Sequence, residues 1–134
     1  MKKTSLIRFR IDFAEDSNLG PGKIALLEGI REYGSVSEAG RRMGMSYRRA
    51  WLLLDALNKS FDTPAAVASK GGKGGGGAEV TAFGILLIER YREIEQTLNE
   101  VAGARLEEIR ARVSRKATAS PRRVPVSKKP RRVG

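Results

Sequence analysis

The sequence of 134 residues predicts an α+β fold that is mainly helical. Three features predict this class. Residues 35–60 show the pattern of two short helices joined by a tight turn, residues 65–81 that of two strands around a glycine-rich loop, and residues 81–113 that of one long helix. A chain of this length has room for one domain with a modest core, together with an extended segment.

The first element is predicted to be a strand. Residues 5–13 alternate between two kinds of side chain, and the apolar ones are Ile7, Phe9, Ile11 and Phe13. Alternation with a period of two is typical of a strand with one buried face. We therefore expect these four side chains to point the same way.

A helix follows a break in the chain at residues 20–22, where the sequence is Gly-Pro-Gly. Ile24, Leu27 and Ile30 are spaced so that they share one face of this helix. Gly34 is expected to end it, because glycine readily adopts the left-handed backbone conformation of a C-terminal cap.

The next helix has a clear N-terminal signal. Ser35 and Glu38 form the S-x-x-E pattern of a capping box, so this helix is expected to begin at Val36. Gly44 is expected to end it.

A third helix follows at once. Ser46 can cap it, and the helical pattern continues to about Ser60. Gly40, near the middle of the preceding helix, allows the two helices to pack closely. The apolar positions between them are Met43, Met45, Ala50 and Leu53. This arrangement is the skeleton of a helix-turn-helix.

The outer face of this helix-turn-helix is basic, and its arginines are Arg41, Arg42, Arg48 and Arg49. The first turn of the second helix also contains Ser46 and Tyr47, so it presents two cations and two hydroxyl groups. Such groups read base edges in the major groove of DNA. The alternative is that these are two short helices of some other helical protein, with arginines that only face solvent.

A hairpin is predicted next. Residues 65–69 and 78–81 can form two short strands, with the Lys- and Gly-rich residues 70–77 between them. A helix, a helix-turn-helix and a hairpin occur in this order in a winged helix. The bare backbone at the tip would let Lys70 and Lys73 approach phosphates or a minor groove. A flexible linker is the simpler alternative.

The same loop also satisfies the G-x-G-x-x-G pattern of dinucleotide-binding sites, with Gly72, Gly74 and Gly77. That motif requires a helix immediately after it, whose N-terminus holds the pyrophosphate. Here a strand pattern follows. A Walker-type loop fails as well, because Lys73 precedes glycine rather than serine or threonine. We therefore expect no nucleotide site.

A long helix is predicted from Thr81, a suitable N-cap, to about Val113. Its apolar side chains follow a coiled-coil seam with one extra four-residue step, and they are Leu87, Tyr91, Ile94, Leu98, Ala102, Leu106, Ile109 and Val113. Such a helix is about 50 Å long, more than a small domain can cover. We expect the stripe to pack against a second copy of the chain. The alternative is an amphipathic helix that packs on its own domain and frays.

The net charge of +11 is unevenly distributed. Residues 1–108 contain 16 Lys and Arg against 15 Asp and Glu, whereas residues 109–134 contain ten Lys and Arg and no acid. Residues 117–134 also contain three prolines and are expected to be disordered. This tail either neutralises DNA phosphates without reading bases or only solubilises the protein.

The composition excludes several classes of site. The chain has no His and no Cys, which removes disulfides, thiol chemistry and most transition-metal sites. We expect no cofactor and no metal, and no set of residues indicates an enzyme. No apolar stretch is long enough to span a membrane and no signal-peptide pattern is present, so we expect a soluble protein in the cytoplasm. A DNA-binding role would place it at the nucleoid.

Two segments carry a family resemblance. Residues 34–51 contain Gly-Ser-Val-Ser, Ala-Gly, Gly-Met-Ser-Tyr and Ala-Trp in this order, and residues 71–78 form a glycine run that is followed by Thr81 and Gly84. Over residues 5–100 the chain resembles the N-terminal DNA-binding domain of the ModE family, the bacterial molybdate-responsive regulators. More distantly it resembles the winged helix of LysR-type regulators.

The resemblance implies a homodimeric DNA-binding transcriptional regulator that dimerises largely through its long helix. It implies that residues 46–49 read or clamp DNA while the wing touches an adjacent groove. The molybdate-binding domains of the family are expected to be absent, since a basic tail without a candidate oxyanion pocket stands in their place. We therefore expect no molybdate site in this chain.

We predict a winged helix-turn-helix domain over residues 1–81, a dimerisation helix over 82–116 and a disordered basic tail over 117–134. The predicted function is that of a sequence-specific transcriptional regulator that binds operator DNA as a homodimer. The alternative is an architectural or partner-dependent DNA-binding protein with little sequence specificity. Trp51 is either a base contact or a packing anchor. The predicted DNA contacts are Ser46, Tyr47, Arg48, Arg49, Trp51, Arg41, Arg42, Lys70 and Lys73.

Overall fold

The computed structural model describes residues 7–69 and 77–114, so the predicted tail lies outside the described residues. In chain order the elements are β1 (Ile11–Ala14), β2 (Ser17–Leu19), α1 (Pro21–Tyr33), α2 (Val36–Arg42), α3 (Tyr47–Lys59), β3 (Ala66–Ala68), β4 (Ala78–Val80) and α4 (Ala82–Arg110). The described residues fall into two compact units, with the boundary between Glu100 and Val101. The predicted α+β, mainly helical class is confirmed.

The N-terminal strand is shorter than the sequence predicts and belongs to a hairpin. β1 pairs with β2 in antiparallel orientation, with Ile11 opposite Leu19. The register shifts between Asp12 and Ala14, which makes Phe13 an extra residue. Such a bulge interrupts the alternation of side chains. Phe13 is 56% exposed, so the prediction that it shares a buried face with Ile11 is wrong; its ring instead meets that of Phe61 edge to face, with the centroids 5.7 Å apart.

The first predicted helix is confirmed as α1. Pro21 occupies its first turn, where the missing N–H has no intrahelical acceptor to lose. Gly34 caps the other end with a φ of 73°, and its N–H donates to the carbonyl oxygen of Ile30 at 2.8 Å. The buried face of the helix consists of Ile24, Leu26, Leu27 and Ile30.

The caps of the helix-turn-helix are confirmed. The Oγ of Ser35 accepts a hydrogen bond of 2.9 Å from the N–H of Glu38 at the start of α2. The Oγ of Ser46 accepts one of 3.1 Å from the N–H of Arg49 at the start of α3. Between the two helices, Gly44 has a φ of 75°, a left-handed conformation that side chains rarely tolerate.

Helices α2 and α3 pack closely because Gly40 has no side chain. A Cβ atom at this position would lie 2.7 Å from the Cβ of Ala50, well inside van der Waals contact. Ala50 is fully buried, and three larger side chains pack partly buried against the same core, namely Met43, Met45 and Leu53. The expected close packing of the pair is confirmed.

Strands β3 and β4 form the wing, in agreement with the predicted hairpin. They pair in antiparallel orientation, with Val67 opposite Glu79. A bridge between Ser35 and Gly77 connects the end of the wing loop to the start of α2. The tip of the wing, residues 70–76, lies outside the described residues.

Thr81 is the N-cap of α4, as predicted. Its hydroxyl oxygen accepts a hydrogen bond of 3.0 Å from the N–H of Gly84, and the hydroxyl donates one of 2.7 Å to the carbonyl oxygen of Pro64. Gly84 lies so close to the carbonyl oxygen of Ala65 that any side chain there would collide with it. The helix ends at Arg110, slightly before the predicted end.

A single hydrophobic cluster holds the first unit together. Helices α1 to α4 all contribute its largest fully buried side chains, which are Tyr91, Ile24, Leu26, Leu27, Ile30, Leu57 and Val36. The inner face of α3 is part of this cluster through Ala50, Leu54 and Leu57. Because that face is buried, the opposite face of α3 is held toward solvent.

Candidate nucleic-acid interface

The first turn of α3 lies exposed on the outer side of the helix-turn-helix. Ser46 caps the helix, and Tyr47, Arg48 and Arg49 follow it, all four exposed. Tyr47 is 61% exposed although it is a large aromatic residue. The structure thus brings four of the predicted DNA-contacting residues together on one solvent-facing turn.

The guanidinium groups of Arg48 and Arg49 have no hydrogen bond or ion pair within the part of the chain that the structure describes. Asp55, the acidic residue of α3, pairs with Lys59 at 2.9 Å instead. The N-terminus of a helix also carries a partial positive charge of about half an elementary unit. The first turn of α3 therefore presents positive charge that an anion can neutralise.

The two arginines of α2 differ, since both pair with Glu38. Arg41 donates through Nη2 to Oε2 of Glu38 at 2.8 Å, and Arg42 donates through Nε to the same oxygen at 2.9 Å. The guanidinium of Arg42 also lies 4.5 Å above the centre of the Tyr33 ring. The hydrogen bonds from Arg42 and Arg41 lower the pKa of Glu38, so its carboxylate remains charged. The positive charge of α2 is therefore partly neutralised.

Trp51 lies at the surface rather than in the core. Its side chain is 36% exposed and meets the ring of Tyr47 edge to face, with the ring centroids 6.3 Å apart. Trp51 is not among the residues that form the hydrophobic cluster or pack against it. Trp51 therefore packs on Tyr47 and not on the core, and its role toward DNA stays a prediction.

Leu52 continues this surface and is 57% exposed. Tyr47, Trp51 and Leu52 line one shallow groove on α3, together with Arg48 and Asp55. We call the first three residues the α3 apolar surface.

Two features of this region are missing from the sequence prediction, namely the ion pairs of Glu38 and the exposed position of Leu52. Glu38 precedes Arg41 and Arg42 by three and four residues, the spacing at which helical side chains meet, so its ion pairs were predictable. Leu52 lies outside the stripe of α3 formed by Ala50, Leu54 and Leu57. An apolar residue outside the buried stripe was the available signal.

The wing starts beside the helix-turn-helix. The N–H of Ala78 donates to the carbonyl oxygen of Gly34 at 2.9 Å, next to the start of α2. The two lysines predicted at the tip of the wing, Lys70 and Lys73, lie outside the described residues.

The predicted dimerisation seam divides into buried and exposed side chains. Leu87 and Tyr91 are buried in the core of the first unit, and this corrects their assignment to an interface with a second chain. Ile94 and Leu98, in the same unit, are exposed. In the second unit the predicted seam residues are Ala102 and Leu106, which are partly buried, and Ile109 and Val113, which are exposed.

Within the described ranges 7–69 and 77–114, no cluster of three or more acidic side chains is arranged to hold a metal ion. No helix in these ranges is long and apolar enough to cross a membrane.

Curated proteins with similar sequences are molybdenum-related proteins of bacteria. The molybdenum-pterin-binding protein MopB of Rhodobacter capsulatus is 42% identical over 79 residues, which are 59% of this chain and 29% of that protein. The molybdenum transport protein ModE of Azotobacter vinelandii is 32% identical over 73% of this chain and 40% of its own length. The DNA-binding transcriptional dual regulator ModE of Escherichia coli is 37% identical over 57% of this chain and 29% of its own length.

The chain carries a ModE-like winged helix-turn-helix domain. The matches span between 29% and 40% of the length of these three relatives. No protein-family model matches the sequence. Among solved structures, the CbnR_DBD–DNA complex resembles this chain with a TM-score of 0.49 and 23% identity, over 67% of this chain and 93% of that one.

Proposed function

We propose that this protein is a sequence-specific transcriptional regulator that binds operator DNA as a homodimer. The observation that carries the proposal is the first turn of α3, where Arg48 and Arg49 are exposed and have no partner within the described residues. Here the acidic residue of the same helix, Asp55, pairs with Lys59.

The geometry suits a helix that enters the major groove with its N-terminal end. In helix-turn-helix proteins the first residues of the second helix contact base edges while the first helix crosses the phosphate backbone. Arg48 or Arg49 would donate to O6 and N7 of a guanine, and the hydroxyls of Ser46 and Tyr47 would contact bases or phosphates. Arg41, on α2, would face the backbone.

The similarity to the Escherichia coli regulator supports this assignment, since that protein is described as a DNA-binding transcriptional dual regulator. In the proposed complex, Lys70 and Lys73 of the wing would contact an adjacent groove. A protein with this role acts at the nucleoid in the cytoplasm.

The dimer is supported by exposed apolar side chains on α4. Ile94 and Leu98 are exposed in the first unit, and Val101 and Ile109 are exposed in the second. Solvent-exposed apolar residues at helical spacing favour burial against another helix. A twofold dimer would place two copies of α3 on half-sites about 34 Å apart, one turn of DNA.

A second candidate function is an architectural DNA-binding protein with little sequence specificity. The observation that favours it is the C-terminal segment 109–134, which contains ten Lys and Arg and no acid. Such a segment contacts phosphates without reading bases.

Selection of bound duplexes from a random-sequence pool by the full chain separates these two functions. A specific regulator should enrich a sequence with twofold symmetry and prefer it by about 10³-fold or more over unrelated DNA at physiological salt. Arg48→Ala or Arg49→Ala should weaken binding to it by about 1–3 kcal/mol and relax the preference at one position.

Arg90→Ala is the matched control, because Arg90 is an exposed arginine of α4 that pairs with Glu93 at 3.2 Å. It should leave the selected sequence unchanged. Enrichment of no sequence would favour the architectural function. Equal binding by the Arg48 and Arg49 variants would show that α3 is not the recognition helix.

A further inference from the structure

The α3 apolar surface consists of large apolar side chains on the solvent-facing side of the helix. Tyr47 is 61%, Trp51 36% and Leu52 57% exposed, and they line one groove. Contiguous apolar side chains on the surface of a soluble domain mark a place where something binds. The core of the domain does not use them, since they are absent from its hydrophobic cluster.

The charges around this surface restrict what can bind there. On its N-terminal side Arg48 and Arg49 have no partner in the described part of the chain, and the helix N-terminus adds to their positive charge. On its C-terminal side the carboxylate of Asp55 lies in the same groove. A suitable ligand therefore combines exposed apolar groups with negative charge, and the negative charge must lie toward the start of α3.

The major groove of DNA has this combination of groups. Phosphates border the groove, and the 5-methyl group of each thymine projects into it. Apolar side chains discriminate thymine from cytosine by contact with that methyl group. An α-helix that enters the groove with its N-terminal end would bring its arginines to phosphate or guanine. Its apolar side chains would then face the base edges at the bottom of the groove.

We infer that the α3 apolar surface reads the 5-methyl groups of thymines, with Leu52 and Trp51 as the residues that determine this specificity. The inference rests on the proposed function and deepens it, because it names a chemical feature that the operator must contain. Arg48 and Arg49 then hold the helix in the groove, and the apolar surface selects thymine-containing steps next to the contacted guanine or phosphate.

A second copy of the chain fits this surface less well. A twofold contact through α3 would bring the same patch of both protomers together. Arg48 would then face Arg48 of the partner where the two helices run parallel, and where they run antiparallel it would face Asp55, whose charge Lys59 already neutralises. Like charges placed opposite each other across an interface are unfavourable. DNA brings the opposite charge to the same place.

The test uses the duplex selected by the full-length protein, with thymines replaced by uracil one position at a time. Uracil keeps every hydrogen-bonding group of thymine in the major groove and lacks only the methyl group. Loss of one buried methyl contact should weaken binding about fourfold, the equivalent of about 0.8 kcal/mol per methylene-sized group. At least one thymine in each half-site should show this loss.

Two variants connect the effect to the surface. Leu52→Ala and Trp51→Ala should bind the thymine duplex more weakly, and one or both should bind the uracil and thymine duplexes equally. Alanine is the strongest helix former, so the exposed Leu52 site tolerates the change without unfolding α3. Leu86→Ala is the matched control. Leu86 is 41% exposed on α4, and its variant should keep the full sensitivity to uracil.

Sequence selection tests the proposed regulator, and uracil replacement tests the thymine contacts. If a sequence is enriched but no uracil replacement weakens binding, the inference is overturned while the proposed function stands. If no sequence is enriched, the proposed function fails and the inference fails with it. If Trp51→Ala or Leu52→Ala changes the oligomeric state without DNA, the surface holds a second copy, and the inference is wrong.

Discussion

The hydroxyl of Tyr91 donates a hydrogen bond of 2.6 Å to the carbonyl oxygen of Phe9, and the two rings stack with their centroids 4.3 Å apart. Phe9 precedes β1 and Tyr91 lies in α4, so this contact joins the N-terminal segment to the last helix. Tyr91 is 1% exposed. It therefore combines the burial of a large ring with a satisfied hydroxyl group.

Tyr91→Phe should keep the stacking and lose the hydrogen bond. We expect the free energy of unfolding to fall by about 1 kcal/mol, because the carbonyl oxygen of Phe9 loses its donor. Urea unfolding followed by circular dichroism measures the change. Tyr33→Phe is the control, since the Tyr33 hydroxyl makes no hydrogen bond within the described residues, and its effect should stay below about 0.5 kcal/mol. Equal losses in both variants would contradict the role of the hydrogen bond.

The hydroxyl of Tyr91 should also make the protein less stable at alkaline pH. Burial, and then the nearby charge of Glu95, raise the pKa of Tyr91 in the folded protein. In the unfolded chain this hydroxyl ionises at its ordinary pKa of about 10. The stability that the neutral hydroxyl contributes is therefore complete below about pH 10. It is lost as the pH rises from there through the higher pKa of the folded protein. Urea unfolding of the wild type and Tyr91→Phe should show a stability difference that shrinks above about pH 10. A constant difference would contradict this prediction.

Gly40→Ala should destabilise the helix-turn-helix although alanine is the better helix former. The new Cβ would lie 2.7 Å from the Cβ of Ala50, a rigid atom that cannot move aside. Overpacking of this kind costs about 1–3 kcal/mol, against a gain in helix propensity of up to about 1 kcal/mol. Gly103→Ala is the control, because a Cβ atom added at Gly103 would point into open space, with no packing neighbour within 4 Å. It should stabilise the protein, and a stabilising Gly40→Ala would contradict the close approach.

Local signals account for the parts of the fold that the sequence predicts well. Ser35, Ser46 and Thr81 each cap a helix through a neighbour three residues on, so the pattern can be recognised without knowledge of the tertiary structure. The bulge at Phe13 depends on how β1 pairs with β2, and pairing is not visible in the alternation of one strand. A short alternating run therefore predicts a strand but not its register.

The stripe of α4 shows a second limit. Helical spacing predicts that Leu87, Tyr91, Ile94 and Leu98 share one face of the helix, but it does not predict what covers that face. The first two are buried in the domain's own core and the last two are exposed, because Phe9 and the rest of the first unit cover only part of the helix. Trp51 packs on Tyr47 at the surface, because Ala50, Leu54 and Leu57 occupy the buried positions of α3.

Glu38→Gln should strengthen binding to all DNA and make it more dependent on salt. The carboxylate of Glu38 holds both Arg41 and Arg42, and its removal frees their charge for phosphates. The slope of log affinity against log salt should steepen by up to about 0.9 for each new phosphate contact. Titration of a selected duplex and an unrelated duplex over a range of salt measures this.

Glu93→Gln is the matched control for that experiment, because it breaks the ion pair with Arg90 on α4 and leaves α2 intact. Its slope should equal that of the wild type. An unchanged slope for Glu38→Gln would show that the arginines of α2 do not meet the DNA backbone, while the recognition role of α3 would be unaffected.

The double variant Leu98→Asp and Ile109→Asp should lose the dimer, because both residues belong to the exposed apolar residues of α4. Both side chains are exposed in the single chain, at 36% and 65%, so the change should not unfold the domain. In a dimer it would bury carboxylates in an apolar seam, which costs several kcal/mol per unpaired charge. Sedimentation equilibrium at micromolar concentration should give a dimer for the wild type and a monomer for the variant. Operator binding should weaken sharply, because the two half-sites are then bound independently.

Leu86→Asp places the same charge on an exposed apolar site outside the seam and should remain dimeric. A wild-type monomer would contradict the proposed dimer, and dissociation by Leu86→Asp alone would move the interface to another face of α4.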